Sequence, residues 1–311
     1  MSLLYLGRIE FPHEFIITGD LLGKEYLTQI GNVSVVVQMP IAEVSKEGLH
    51  VDLKSPYEWF EFDVGWGYVV HTVPKDSFVK AALLMFRGDE ECAQNVYAAF
   101  PDWLYRFMIF ARALSHELTK ESVTESLQHG SDGIVDKYTG LLLYKLVDSK
   151  KLYERNKDNV IVGHFDESLI NNTGISDSEM KEIMKYAGSH QPISKGYFLL
   201  SEAFLAYQRG DNISSVILSS IALEDGLVER IKNYREKHNI KLTKTGPLGK
   251  KFKLLAEYGI NIPVSDYESQ IVEFRNNVVH HANKVSDYDA RRFWKECQLI
   301  MREYDYSMIS D

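Results

Sequence analysis

The chain has 311 residues and two cysteines, and its 35 Lys and Arg against 44 Asp and Glu give a net charge of −9. Its 45% hydrophobic and 25% charged residues are typical of a globular protein and argue against a largely disordered chain. The apolar runs are far shorter than the roughly 20 residues of a membrane span, and no secretory leader is expected. We therefore expect a cytoplasmic protein without a membrane partner, in which Cys92 and Cys297 are reduced.

Charge is distributed unevenly along the chain. Residues 191–311 carry 17 Lys and Arg against 16 Asp and Glu, whereas residues 1–190 carry 18 against 28. The turn-rich stretch 188–192 lies between these halves, as expected of a linker. We predict an α+β protein, in which a β-rich or mixed N-terminal domain over 1–190 precedes an all-α helical bundle over 191–311.

The N-terminal half contains short stretches rich in β-branched and aromatic residues, separated by Gly, Pro, Asn or Asp, which predict strands. The predicted strands cover 3–11, 14–18, 33–39, 49–53, 59–64, 68–73 and 141–147. Residues 77–86 fit either a strand or a helix, and residues 90–118 fit a helix kinked at Pro101. A capping box from Ser176 to Glu179 predicts a further helix. No catalytic cluster is evident in this half, so we expect it to sense or regulate.

The C-terminal half shows the three- and four-residue apolar spacing of amphipathic helices. The predicted helices cover 197–208, 212–237, 248–258, 265–282 and 286–306. These helices predict a bundle with short connections.

The segment from Arg275 to His280 combines residue types that suit phosphate chemistry. Arg supplies a fixed charge for phosphate oxygens, and an imidazole can move a proton near neutral pH. Asn276 and His280 are four residues apart, so they share a helix face and can hydrogen-bond. Arg275 lies about 140° from His280 around an ideal helix, so one helix presents both poorly to one phosphate; the long Arg side chain can narrow that gap, and a symmetry-related second helix can close it. The structural alternatives are an ion pair of Arg275 with Glu224 or Glu273, and a buried or capping role for His280.

This segment resembles the ribonuclease motif of HEPN domains (higher eukaryotes and prokaryotes nucleotide-binding), in which a polar residue follows the Arg and a His ends the motif. The similarity covers about 195–306 and includes the lead-in at 207–211, the region around Glu224 and the basic turn before the next helix. The resemblance implies a homodimer that cuts RNA without a metal or a cofactor. It implies catalytic roles for Arg275, Asn276 and His280.

The same resemblance implies a toxin or an anti-phage effector, whose antitoxin or regulator the sequence does not identify. His281 follows the motif and is expected to be structural more than catalytic, and Glu224 is expected to support Arg275. An alternative within the family is an inactive HEPN-like module that dimerises or binds RNA or a nucleotide.

A basic segment, residues 232–253, holds eight Lys and Arg against one acid. Five lysines in it are predicted to bind RNA phosphates, namely Lys241, Lys244, Lys250, Lys251 and Lys253. The alternative is a solvated loop that binds nothing.

Overall fold

A computed structural model of the protein describes residues 3–44, 51–56, 66–70, 76–114, 141–145, 150–154, 174–241, 243–281 and 284–303. These residues divide into a β-rich unit that ends at His190 and a helical unit that begins at Gln191, and Arg112–Leu114 group with the helical unit. An antiparallel sheet followed by a helical region confirms the predicted α+β class. No helix in the described ranges is long and apolar enough to cross a membrane.

Nine strands in the described part of the β-rich unit form one antiparallel sheet. They are β1 (Leu3–Thr18), β2 (Glu25–Ile30), β3 (Val33–Gln38), β4 (Ile41–Val44), β5 (Val51–Lys54), β6 (Gly67–Val70), β7 (Asp76–Gly88), β8 (Leu141–Lys145) and β9 (Lys150–Glu154). The main order is β4-β5-β6-β7-β1-β8-β9. β6 pairs with the start of β7 and β3 pairs with its later part, and β2 pairs with β3.

β1 joins the two strands predicted at 3–11 and 14–18 into one. Its pairing with β7 shifts register between Glu10 and Phe15, so the interruption is a bulge in a continuous strand. Pro12 lies inside this shift, where the ladder does not need an N–H. The ambiguous segment 77–86 is a strand, because it forms the centre of β7 between β1 and its other partners.

Three strands were not predicted from the sequence, namely β2, β4 and β9. β2 alternates exposed and buried residues and includes Leu27, which is 72% exposed. Its mixed polar composition hides the strand, and pairing with β3 stabilises it. The predicted strand at 59–64 lies outside the described residues.

Two helices of the β-rich unit, α1 (Glu90–Leu114) and α2 (Asp177–Ala187), are connected to β2 by side-chain hydrogen bonds. The predicted capping box of Ser176 and Glu179 is confirmed at the start of α2. The buried hydroxyl of Thr28 donates to the carbonyl of Met184 at 2.6 Å and accepts from the indole N–H of Trp103 at 3.1 Å. Thr28 therefore links β2 with both helices.

We expect Thr28→Val to lower the free energy of unfolding by about 1–3 kcal/mol, because the buried N–H of Trp103 loses its acceptor. Thr28→Ser keeps the hydroxyl and is the matched control. Urea unfolding followed by tryptophan fluorescence measures the difference. Equal losses in both variants would assign the effect to the missing methyl or to shape instead of the hydrogen bond.

The helical unit contains five α-helices within the described ranges, in agreement with the predicted bundle. They are α3 (Lys195–Gln208), α4 (Asn212–Lys237), α5 (Leu248–Glu257), α6 (Phe274–His281) and α7 (Asp287–Glu303). α4 contacts each of the other four. The helix predicted at 265–282 is present as a helical segment that begins with a π-helical turn, Glu268–Glu273, and continues directly as α6. Cys297 is buried on α7, and burial raises the pKa of its thiol, whereas Cys92 is half-buried.

Candidate functional site

The three predicted catalytic residues lie on α6, directly after the π-helical turn. Ile271 and Val278 are buried and fix the inner side of this segment. Asn276 and His280 are exposed, and the side chain of Arg275 is 26% exposed. The helix therefore presents the motif to solvent, and His280 is not the core histidine of the structural alternative.

The guanidinium of Arg275 contacts oxygen atoms on two helices. Its Nη2 lies 3.6 Å from Glu224 Oε1 on α4, so the ion pair expected with Glu224 is present. Its Nη1 donates to Asn276 Oδ1 at 3.1 Å. The second contact places the guanidinium against the exposed side chain of Asn276.

Asn276 does not make the hydrogen bond to His280 that its spacing predicted. Its Oδ1 accepts instead from the charged guanidinium of Arg275. No hydrogen bond or ion pair of His280 is present among the described residues. The side chain of His281 lies outside the described part of the chain.

Glu224 also binds a second cation, Lys251, which was expected to contact RNA. Lys251 Nζ donates to Glu224 Oε2 at 2.8 Å, and the Lys251 side chain is only 6% exposed. Lys251 therefore faces α4, away from solvent. Its ammonium is paired with a carboxylate and is not accessible to a phosphate of RNA. The trio of Lys251, Glu224 and Arg275 carries one negative and two positive charges.

We expect Glu224→Gln to destabilise the helical unit by about 1–3 kcal/mol, because the nearly buried ammonium of Lys251 loses its charged partner. Combining Glu224→Gln with Lys251→Met removes both charges and should restore most of this loss. Urea unfolding of the two variants measures the difference. A double variant as unstable as the single one would show that the ion pair is not the cause.

The other four predicted RNA-binding lysines are exposed. Lys241 and Lys244 lie between α4 and α5, and Lys250 and Lys253 lie on α5. Lys253 Nζ is 4.0 Å from Glu268 Oε1, and both side chains are mostly exposed, so this pair competes weakly with a phosphate.

Arg235 anchors the connection between α4 and α5 and is buried although it belongs to the basic segment. Its Nε donates to the hydroxyl of Tyr258 and its Nη1 donates to the carbonyl of Thr243, both at 2.8 Å. Arg235 therefore orders the connection between α4 and α5 from a buried position on α4.

An aromatic stack beside Arg235 was not predicted as a functional feature. The rings of Tyr234 and Tyr258 stack with centroids 4.5 Å apart, and the centroids of Tyr234 and His238 are 4.3 Å apart. A groove of about 420 Å³ opens beside these rings. The four-residue spacing of Tyr234 and His238 was the available signal in the sequence, but Tyr258 comes from the end of another helix.

The described part of the site offers guanidinium, imidazole, amide and ammonium groups. No group of three or more His, Cys, Asp or Glu residues in the described ranges is placed to hold a metal ion. Comparisons of the chain with protein-family models, with curated proteins and with solved structures find no match.

Proposed function

We propose that the helical unit is a metal-independent endoribonuclease of the HEPN type, acting as a toxin or as an anti-phage effector. One observation supports this proposal most directly. α6 exposes His280 and Asn276, and the guanidinium of Arg275 is hydrogen-bonded to that same Asn276 at 3.1 Å. A proton carrier and a fixed positive charge therefore border one exposed helix face.

These groups suffice for cleavage in which RNA supplies its own nucleophile. The ribose 2′-OH attacks the adjacent phosphorus, the bond to O2′ forms and the bond to the leaving O5′ breaks. The His280 imidazole accepts the 2′-OH proton and returns a proton to the leaving O5′. Arg275 stabilises the negative charge that develops on the non-bridging oxygens, and Asn276 orients the phosphate. The products are a 2′,3′-cyclic phosphate and a 5′-OH.

A homodimer is part of this proposal, with α6 close to the twofold axis. On regular α-helix geometry Arg275 and His280 diverge by about 140°, and a second copy can bring both residues to one cleft. Exposed apolar side chains surround the motif, with Ile221 and Val228 on either side of Glu224 and Val279 next to His280, each 38–40% exposed. Such side chains are suited to burial against a second copy.

The second candidate function is an inactive module that dimerises or binds RNA or a nucleotide. The contact between Arg275 and Glu224 favours this inactive module, because one nitrogen of the guanidinium is already paired with a carboxylate. That contact is 3.6 Å, longer than the 2.7–2.9 Å of a strong charge-assisted hydrogen bond, so a phosphate can displace it.

Incubation of the purified full chain with single-stranded RNA in EDTA separates the two candidates. Cleavage in EDTA is the result that the nuclease proposal requires. Binding without cleavage supports the inactive module, and cleavage that needs an added metal ion contradicts the proposed chemistry.

We expect the double change Lys250→Gln and Lys253→Gln to weaken RNA binding and to lower its dependence on salt by about one to two units of slope, because each exposed lysine releases counterions at a phosphate. Lys195→Gln with Arg209→Gln removes the same charge from exposed positions on and next to α3 and is the control. Titrations at several salt concentrations measure the slope. An unchanged slope would leave α5 without a role in RNA binding.

A further inference from the structure

The groove beside the aromatic stack lies where α4 and α5 end. Its lining includes the half-buried rings of Tyr234 and Tyr258 and the exposed His238. The three rings form a stack within the basic segment in which Tyr234 contacts both of the others, nearly parallel to Tyr258 and tilted by 31° from His238. A nucleobase can extend such a stack, since every base has an aromatic face.

The charge of the groove is opposite to that of the chain. The full sequence has a net charge of −9, but the nine residues that line the groove include Arg230, Lys237 and His238 and no carboxylate. Lys237 is exposed, so its ammonium can contact the phosphate of a nucleotide whose base is stacked on the rings. The exposed amide of Asn233 adds a donor and an acceptor for a base edge.

The aromatic stack is held in place before any ligand arrives. Arg235 donates to the hydroxyl of Tyr258 at 2.8 Å, and its guanidinium carbon lies 5.9 Å from the centre of that ring. After Tyr258 the chain turns at Gly259, whose φ of +69° favours glycine. A fixed platform reduces the entropy lost when a base stacks on it.

We propose that this groove binds one nucleotide of a single-stranded RNA, with the base at the end of the stack of Tyr234, Tyr258 and His238 and the phosphate at Lys237. The strand must be single, because base pairing hides the faces of the bases in a helix. The site is separate from Arg275 and His280, and it rests on the proposed ribonuclease function only for the identity of the strand.

Binding of a fluorescent single-stranded RNA to the full chain tests this site, in a His280→Ala background that leaves the RNA intact. We expect Tyr234→Leu to weaken binding roughly 5- to 100-fold, since the stack that the base extends loses its central ring, and Tyr234→Phe to bind like the parent. Lys237→Gln changes only an exposed side chain and should lower the salt dependence by about one unit of slope. Lys195→Gln removes the same charge from an exposed position outside the groove and should leave the slope unchanged.

Three results would overturn the groove assignment. The first is unchanged RNA binding by a folded Tyr234→Leu variant together with an unchanged salt slope in Lys237→Gln. The second is equal affinity of the protein for duplex and single-stranded RNA. The third is binding of free AMP by a protein that does not bind the RNA strand. Cleavage by the parent chain is measured separately. Stacking-dependent binding without cleavage would contradict the nuclease and keep the groove, whereas cleavage with a binding-neutral Tyr234→Leu would contradict the groove alone.

Discussion

His280→Ala is expected to abolish RNA cleavage, with a loss of about 100-fold or more, because general acid–base groups contribute about 10²–10⁴-fold to such reactions. The side chain is exposed on α6 and makes no hydrogen bond or ion pair within the described residues, so the fold should be unaffected. The free energy of unfolding should change by no more than about 0.5 kcal/mol. Single-turnover cleavage rates and urea unfolding of the same protein preparation measure the two effects.

Asn277→Ala is the matched control for this change. Asn277 is exposed on the same helix, three residues before His280, and has no assigned role. The Asn277→Ala variant should cleave RNA like the parent protein. The His281→Ala variant should retain most of the activity, because His281 lies beyond the motif. Undiminished cleavage by His280→Ala, or loss of cleavage in His281→Ala alone, would contradict the assignment of the proton carrier.

A mixture of Arg275→Ala and His280→Ala chains is expected to recover activity that neither variant has alone. If one cleft takes Arg275 from one chain and His280 from its partner, a mixed dimer has one intact cleft and one that lacks both residues. Random exchange makes half of the dimers mixed, so the mixture should reach about one quarter of the parent activity. Each variant is purified separately, mixed in equal amounts and assayed after subunit exchange.

The mixture would remain inactive if each cleft used Arg275 and His280 of the same chain, since every chain then carries one lesion. That result would contradict the shared cleft and leave the ribonuclease assignment standing. A monomeric protein that cleaves RNA would also contradict the shared cleft and leave the ribonuclease assignment standing. Sedimentation of the parent shows whether it is a dimer, and an affinity tag on one variant that recovers the untagged other variant confirms that exchange has occurred.

The sequence predicts elements well where the local signals and the tertiary contacts agree. α4 has the predicted bounds, because Asp211 caps its start through Ser214 N–H and its apolar residues keep helical spacing. Signals fail where pairing with a neighbouring strand decides, as in β2, whose Glu, Thr and Gln obscure its alternation of exposed and buried residues. Local signals also fail at Pro12, which suggests an end to the strand but lies in a bulge within the continuous β1.

Within the site, the sequence predicted the ion pair of Arg275 with Glu224. The buried position of Lys251 on α5 was not predicted. The error follows from counting charge without helical phase. Leu248 and Leu255 lie on the buried face of α5, three residues before and four after Lys251, so the same periodicity places that lysine inward. The hydrogen bond of Asn276 depends on which donor reaches it, and spacing alone could not distinguish Arg275 from His280.

End-group analysis of RNA cut in EDTA tests the central proposal most directly. A second substrate carries a single 2′-deoxynucleotide in place of the ribonucleotide at the cleavage position. The account predicts a 2′,3′-cyclic phosphate and a 5′-OH from the ribose substrate, and no cut at the deoxy position, because the nucleophile there is missing. A 5′-phosphate with a 3′-OH, or cleavage at the deoxy position, would contradict it.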